Sequence, residues 1–416
     1  MSFENSRGAK PSNGLKSSKF LALNSISNLQ CNENPPIFLN ELGNPMSPWQ
    51  AAQPGDHVSL IDTPSLVLDL DAFERNLARM ATTLQGSKVR LRAHAKSHKC
   101  PQIALQQIAL GAIGICCQKL SEAAVFVQAG IQDILITNEV MGDAKLRHLA
   151  PLARSARIGV LVDHPQQVQA LAAAAKSHAV NLDVYIEINV GSNRCGVAPG
   201  EAAAVLARQI VANPPLRFAG LQCYHGAAQH LRLPQDRAAA VAGAVEAARI
   251  SRQAIEACGI AVERITGAGT GSFLHERDSG VFNEIQAGSY IFMDRDYSDN
   301  QRAESDIAFE HALFVRTSVM SRNAAAYAVI DAGLKASSVD SGMPTVWQRT
   351  DLRYIKAADE HGVLSTSDAE ALSLGDQLML VPGHCDPTVN LYDELVCIRG
   401  DRVEALWPIA ARGALL

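Results

Sequence analysis

The chain has 416 residues, of which 47% are hydrophobic and 19% charged, and it carries a formal net charge of -5. That length exceeds one small domain and suits a barrel-sized unit followed by a smaller one. No apolar run approaches the roughly 20 residues that cross a bilayer, and the scattered Lys and Arg residues build no basic field, which argues against a membrane protein and against nucleic acid as a partner.

Residues 1–50 are rich in Ser, Asn, Gly and Pro and lack the apolar core of a signal peptide, which predicts a disordered tail. Arg7, Lys10, Lys16 and Lys19 leave a transit peptide as the alternative. Nine cysteines without any Cys-x-x-Cys pair fit neither a disulfide scaffold nor a zinc ribbon. They read as reduced, mostly buried thiols, in keeping with a cytoplasmic protein.

From Val89 to Asp294 short apolar runs alternate with longer amphipathic ones, the pattern of a parallel sheet built from strand-helix units. Strands are predicted over Val89–Ala93, Gly111–Cys117, Asp133–Thr137, Arg157–Asp163, Asp183–Val190, Phe218–Tyr224, Glu263–Thr266 and Glu284–Ala287. Helices are predicted between them, for example over Ser121–Ala129 and over Pro165–Ser177, where Val168, Leu171 and Ala175 recur at helical spacing. Eight units predict an α/β fold of the (β/α)8 TIM barrel type, assigned to residues 62–305. An open doubly wound sheet is the rival, but no Gly-x-Gly-x-x-Gly follows the first strand. After Asp306 short runs such as Ala312–Ser318, Ala325–Asp331, Gln377–Val381, Glu394–Arg399 and Val403–Trp407 are broken by Gly, Pro, Asp and Ser, which predicts a C-terminal β domain over 306–416.

A barrel of this kind forms its active site at the C-terminal ends of its strands, so the polar residues there are the candidates. Strand one ends in His94 and Lys96, strand two in Gln118, strand three in Asn138, strand five in Asn193 and Arg194, strand six in Tyr224 and His225, strand seven in Gly269-Thr270-Gly271 and strand eight in Gly288-Ser289. A lysine among other cationic groups (His94, His98, Lys99) is expected to have a depressed pKa and to attack an aldehyde. A solvated surface lysine is the bland alternative. Gly267-Ala268-Gly269-Thr270-Gly271-Ser272 offers backbone N–H groups and hydroxyls without bulk, as a phosphate requires, or is an ordinary tight loop. Arg194 is a candidate for stabilising a phenolate oxygen, or forms a surface ion pair. His384 and Asp386 flank Cys385 and would point the same way in an extended segment, where they suit a divalent cation such as Mn²⁺, Mg²⁺ or Zn²⁺. A capped turn is the alternative.

These residues resemble the group of D-threonine aldolase, 3-hydroxyaspartate aldolase and D-serine dehydratase, whose barrel is that of alanine racemase. The resemblance runs from about Asp62 onward through Thr63-Pro64-Ser65-Leu66-Val67-Leu68-Asp69, the Lys96 segment, Cys116-Cys117-Gln118-Lys119, Arg194-Cys195-Gly196-Val197, the Gly-Thr-Gly loop, Gly288-Ser289-Tyr290, Asp331-Ala332-Gly333-Leu334-Lys335 and His384-Cys385-Asp386-Pro387-Thr388. It implies that Lys96 holds pyridoxal 5′-phosphate as a Schiff base, that Arg194 faces the phenolic oxygen and that Tyr224 meets the pyridine nitrogen. Gln118, Thr270, Gly288, Ser289 and Tyr297 match positions that hold the cofactor, and Gly271 lies in the same phosphate loop. His230 matches a catalytic histidine, and His384 and Asp386 match the metal ligands. The family often carries a third glycine where this chain has Ala268, a change tolerated unless φ there is positive.

The resemblance further implies a homodimer and a small-molecule substrate, a D-3-hydroxy amino acid. The expected reaction is retro-aldol cleavage of 3-hydroxy-D-aspartate to glycine and glyoxylate, with D-threonine as a second substrate. A dehydratase acting on D-threo-3-hydroxyaspartate or D-serine would use every residue named, and stands as the rival. A non-catalytic pyridoxal-phosphate carrier would lack the β domain and the metal pair, and a racemase would need a second-face tyrosine base that is not identifiable.

Overall fold

The computed structural model describes residues 50–303, 306–324, 327–366 and 372–416. The tail expected over 1–50 falls outside the described residues apart from Gln50. Residues 51–416 form one compact unit.

The expected barrel is present. All of its strand pairs are parallel, in the order one to eight: Arg90–Leu91 with Ala93–His94, Ile115–Cys117, Asp133–Glu139, Arg157–Val162, Leu182–Glu187, Leu216–Cys223, Ile265–Gly267 and Glu284–Ile285. Strand one is split at Arg92. Its first half pairs with strand eight and its second half with strand two, so the two halves close the cylinder. The Arg92 side chain turns inward and pins the seam, donating from Nε to Glu284 at 3.0 Å and from Nη1 to Asp133 at 2.6 Å.

Helices follow the strands with local logic. Pro165 opens the helix Pro165–His178 at a position whose N–H is unused in any helix, and His164 caps it by accepting from the Gln166 N–H. The strand predicted from Gly111 begins only at Ile115, because Gly111 and Gly114 take positive φ in the turn that ends the preceding helix.

A second sheet contains Leu313–Ala324, Tyr327–Ile330, Thr345–Val346, Leu352–Ala357, Gly362–Thr366, Gln377–Val381, Glu394–Arg399 and Arg402–Pro408. Its ninth strand comes from the other end of the chain. Ser65–Asp69 lies between Leu313–Ala324, antiparallel, and Glu394–Arg399, parallel. The range 62–305 assigned to the barrel thus begins with a strand of the other sheet. The reason is hydrophobic: Leu66, Val67 and Leu68 are buried on both faces, a location that the central position in this sheet provides and the already closed barrel does not. Asp69 then caps the helix Leu70–Leu84, which buries Leu70, Phe73, Leu77 and Met80.

The two sheets share a core. Leu91, Ala93, Ile285 and Ala287 of the barrel belong to one buried cluster with Leu313, Val315 and Leu380 of the second sheet. That shared core fixes the segment 384–389 against the mouth of strand one.

Candidate active site

Strand one ends in a single 3-10 turn, Ala95–Ser97, whose start is capped by the His94 ring accepting from the Lys96 N–H at 3.3 Å. The turn aims Lys96 into a cavity of about 220 Å³ at the C-terminal mouth of the barrel. Lys96 is not a free surface lysine: its side chain is 40% exposed at the cavity, but its ammonium group is ion-paired with the mostly covered Asp386 carboxylate.

The depressed pKa expected for Lys96 is overturned. Burial disfavours its charge, but Asp386 and the Tyr224 hydroxyl more than offset that, and the amine is held well above the ordinary lysine value. The cationic neighbours on which the expectation rested are not cationic or not near. Burial holds His94 and His98 down at about 3, and Lys99 turns away to pair with the buried Glu122.

His384 and Asp386 do not lie on one extended segment. His384 is extended, but Cys385–Val389 form a short helix, with the Cys385 N–H donating to Asp294 Oδ2 at 2.9 Å. The pair nevertheless faces one region. Asp386 reaches Lys96 and, at 3.5 Å, the Ser289 hydroxyl, while His384 Nδ1 lies 2.8 Å from Asp340 Oδ2. With Nδ1–H donated to Asp340, Nε2 keeps its lone pair, the state that a metal ligand needs. Burial pushes the Asp386 carboxyl up, yet Lys96 and His384 pull it well below the carboxylate range, so it is ionised. An imidazole and an ionised carboxylate with adjacent open volume fit a divalent cation that retains water. Among the described residues, the one cluster of three ligating side chains is elsewhere, Glu139, Asp163 and Cys195.

Lys96, Gln118, Arg194, Tyr224, His230, Thr270, Gly288, Ser289 and Tyr297 all line the cavity. Gly271, His384 and Asp386 are not among its lining residues, but Asp386 contacts two that are, Lys96 and Ser289. Gln118 is fixed by donating Nε2–H to the Thr137 carbonyl at 3.1 Å, and Thr137 Oγ1 also meets His94 Nε2 at 2.9 Å. The Arg194 guanidinium lies over the Tyr224 ring, 5.8 Å from its centroid, and 3.6 Å from Glu187. Burial beside Glu139 pushes the Glu187 carboxyl up to about 8. Asn138 and Asn193 spend their side chains on the Gln118 carbonyl and on Asn189.

The glycine loop after strand seven has a cost and a purpose. Ala268 is buried at φ +66°, so its methyl group imposes strain of about 1 kcal/mol where glycine would impose none. Thr270 Oγ1 is buried without a hydrogen-bond partner, an orphan that a phosphate oxygen would satisfy. A Cβ on Gly288 would sit 2.5 Å from the His94 carbonyl oxygen, so only glycine lets the strand-eight loop close over strand one. Gly271 differs from expectation: its N–H is already committed to Gln229 Oε1 at 2.9 Å.

His230 sits on the short helix Ala227–His230, and its Nδ1 is 2.6 Å from Asp296 Oδ2. Burial raises the Asp296 carboxyl, but hydrogen bonds from His230 and Arg232 bring it down to about 2. The hydrogen bond to Asp296 in turn raises His230 above the ordinary imidazole value. Asp296, Asp340 and Gln229 are site residues that the sequence does not reveal, because each acts through a partner far away in the chain.

Residues 68–296 match the alanine racemase N-terminal domain family, and residues 312–398 match a serine dehydratase domain family. A D-threonine aldolase from Arthrobacter sp. is 48% identical over 363 residues, 87% of this chain and 96% of the relative. The chain belongs to the D-threonine aldolase family. A second relative in this family, a 3-hydroxy-D-aspartate aldolase from Paracoccus denitrificans (strain Pd 1222), is 46% identical over 87% of this chain and 95% of its own length. The crystal structure of D-threonine aldolase from Filomicrobium marinum matches with a TM-score of 0.87 at 48% identity, covering 88% of this chain and 100% of that one. A D-threo-3-hydroxyaspartate dehydratase from Delftia sp. (strain HT23) is more distant, 29% identical over 86% of this chain and 97% of the relative. The D-threonine aldolase family's alanine racemase-like barrel implies pyridoxal 5′-phosphate, and the orphaned Thr270 hydroxyl, the Gly288 close approach and the lysine at the cavity wall fit that cofactor. No helix among the described residues is long and apolar enough to cross a membrane.

Proposed function

We propose that this chain is a pyridoxal-phosphate- and divalent-metal-dependent aldolase that cleaves the Cα–Cβ bond of D-3-hydroxy amino acids. The preferred substrate is 3-hydroxy-D-aspartate, giving glycine and glyoxylate, and D-threonine is also accepted. The observation that carries this reading is the meeting of Lys96 with Asp386, which puts an amine for the cofactor and a carboxylate for a metal at one cavity. Relatives at 48% and 46% identity that are named aldolases support it.

Bound pyridoxal phosphate supplies an electron sink for the pair released on cleavage, and a divalent cation supplies a Lewis acid toward the 3-hydroxyl. Lys96 would hold the cofactor through its amine. Thr270, Ser289 and Tyr297 would bind its phosphate, and Gln118 and Gly288 would shape the walls. Arg194, seated over Tyr224, would neutralise the phenolic oxygen, and Tyr224 would serve the ring nitrogen as an uncharged partner. His384 and Asp386 would hold the cation. His230 takes the hydroxyl proton at Nε2 while Nδ1–H stays on Asp296, which fixes the tautomer and stabilises the resulting imidazolium.

The same reading takes the enzyme to be a cytoplasmic homodimer. Met320, Leu334, Trp347 and Ile355, exposed on or beside the second sheet, support a covered face there.

A second reading, loss of water instead of carbon-carbon cleavage, draws on the serine dehydratase domain match over 312–398. One assay separates them. Purified protein with pyridoxal phosphate and Mg²⁺ or Mn²⁺ should convert 3-hydroxy-D-aspartate to glycine and glyoxylate; oxaloacetate and ammonia in their place would sink the aldolase reading.

A further inference from the structure

Gln229 is 1% exposed and sits one residue before His230 on the same short helix. Its carboxamide points the opposite way, under the glycine loop. Oε1 accepts from the Gly271 N–H at 2.9 Å, and Nε2 donates to Ser272 Oγ at 2.7 Å and to the His225 carbonyl at 3.3 Å. The Ser272 hydroxyl in turn donates to Glu276 Oε1 at 2.9 Å. A Cβ on Gly269 would lie 2.5 Å from Gln229 Oε1, so the loop is moulded onto this side chain.

The Gln229 backbone extends the chain of bonds the other way. Its carbonyl accepts from Asn300 Nδ2 at 2.9 Å, Asn300 Oδ1 accepts from Arg232 at 2.8 Å, and Arg232 donates to Asp296, the carboxylate that holds His230. Asp296, Arg232 and Asp294 are the charged groups that face His230.

We propose that Gln229 is a positioning residue that couples the phosphate loop to His230: its carboxamide anchors the loop, and its backbone carbonyl, through Asn300 and Arg232, anchors the carboxylate that holds the proton-accepting imidazole. The proposal rests on the assignment of His230 and the glycine loop made above. A fully satisfied buried amide is well suited to the role, because neither loop can shift without stranding a buried polar group. Gly271 contributes to the cradle through its shape and through this anchor, since its N–H is already used.

The test compares holoenzymes of wild type, Gln229→Leu, Ser272→Ala and Asn300→Ala with two measurements that need no substrate turnover. One is the dissociation constant for pyridoxal phosphate. The other is the pH midpoint for diethyl pyrocarbonate modification of His230, read by mass spectrometry. Gln229→Leu should weaken cofactor binding about tenfold and, by freeing the short helix that carries both His230 and the Asn300-bound carbonyl, lower the His230 midpoint by about one pH unit. Ser272→Ala should weaken cofactor binding only, and Asn300→Ala should lower the midpoint only. Should Gln229→Leu fail to fold, these two variants decide the matter together. A Gln229→Leu holoenzyme that changes in neither measurement, or in one alone, overturns the coupling, as does a Ser272→Ala or Asn300→Ala variant identical to wild type. Because no product is measured, an incorrect substrate assignment would leave both readouts intact.

Discussion

Lys96, in the turn that ends barrel strand one, and Asp386, on the short helix Cys385–Val389, form an ion pair across 290 residues of sequence. Each restrains a charge that the other would otherwise leave uncompensated at the cavity wall. Replacing Asp386 with Asn, or His384 with Ala, should reduce kcat by on the order of 100-fold or more while cofactor binding persists. Activity of the purified variants, with cofactor content measured in parallel, checks this; full activity after chelation of divalent ions would remove the metal from the chemistry.

Asp340 should matter through His384 alone. Losing the carboxylate that accepts Nδ1–H frees the ring to rotate and to take the wrong tautomer, so Asp340→Ala is expected to weaken Mn²⁺ binding by roughly 10- to 100-fold. Metal titration by calorimetry reads the change directly. A variant with wild-type Mn²⁺ affinity would show that the contact is incidental.

The His230 and Asp296 pair sets the acid limb of the pH profile. A base must be neutral to accept a proton, and Asp296 raises His230, so activity should fall with acid at a pH above the ordinary histidine value of about 6.5. Asp296→Asn removes the charge that favours imidazolium, so the limb should move to lower pH while kcat declines from lost orientation. An unmoved limb would mean that His230 is not the base.

Ala268 offers a gain of stability. Glycine accepts φ +66° without strain, so Ala268→Gly should stabilise the fold by about 1 kcal/mol, less the small loss of methyl burial. Denaturant unfolding measures it, and a destabilised variant would show that the packing of that methyl outweighs the backbone cost.

Glu276 should leave a mark on stability against pH. Burial raises its carboxyl to about 7 in the folded chain, above the unfolded value, so its contribution is intact below about pH 4.5 and is lost as pH rises through 7. Glu276→Gln should flatten that stretch of the stability curve, an effect on the order of 3 kcal/mol at most. An unchanged slope between pH 5 and 8 would place its titration elsewhere.

Much of the barrel was legible because parallel strands buried on both faces print continuous apolar runs between amphipathic helices. The strand ends then named most of the cavity wall, from Lys96 to Ser289. What sequence could not supply was the pairing of distant polar groups. The reversal of the Lys96 expectation came from Asp386, and Lys99, adjacent on paper, points into a separate ion pair with Glu122. Ser65–Asp69 carries no strand assignment in the sequence, since nothing local tells a five-residue, mostly apolar run which of two sheets it will join. The helix at Cys385–Val389 was missed for a similar reason: a single turn has too few residues to show a period, and its anchor, Asp294, lies 91 residues upstream.

The seat of Ser65–Asp69 bears on how the molecule is made. Its two neighbours in the sheet, at Leu313–Ala324 and Glu394–Arg399, leave the ribosome only after the whole barrel has done so. At 5–20 residues per second, roughly 15–65 s pass between emergence of Val67 and of its partner Val396. Until Leu313–Ala324 emerges, a strand with Leu66, Val67 and Leu68 rides on a growing barrel with neither sheet neighbour to cover it. A nascent chain halted near residue 300 should therefore bind holdase chaperones through its N-terminal stretch, and release from them should coincide with completion of the last strand.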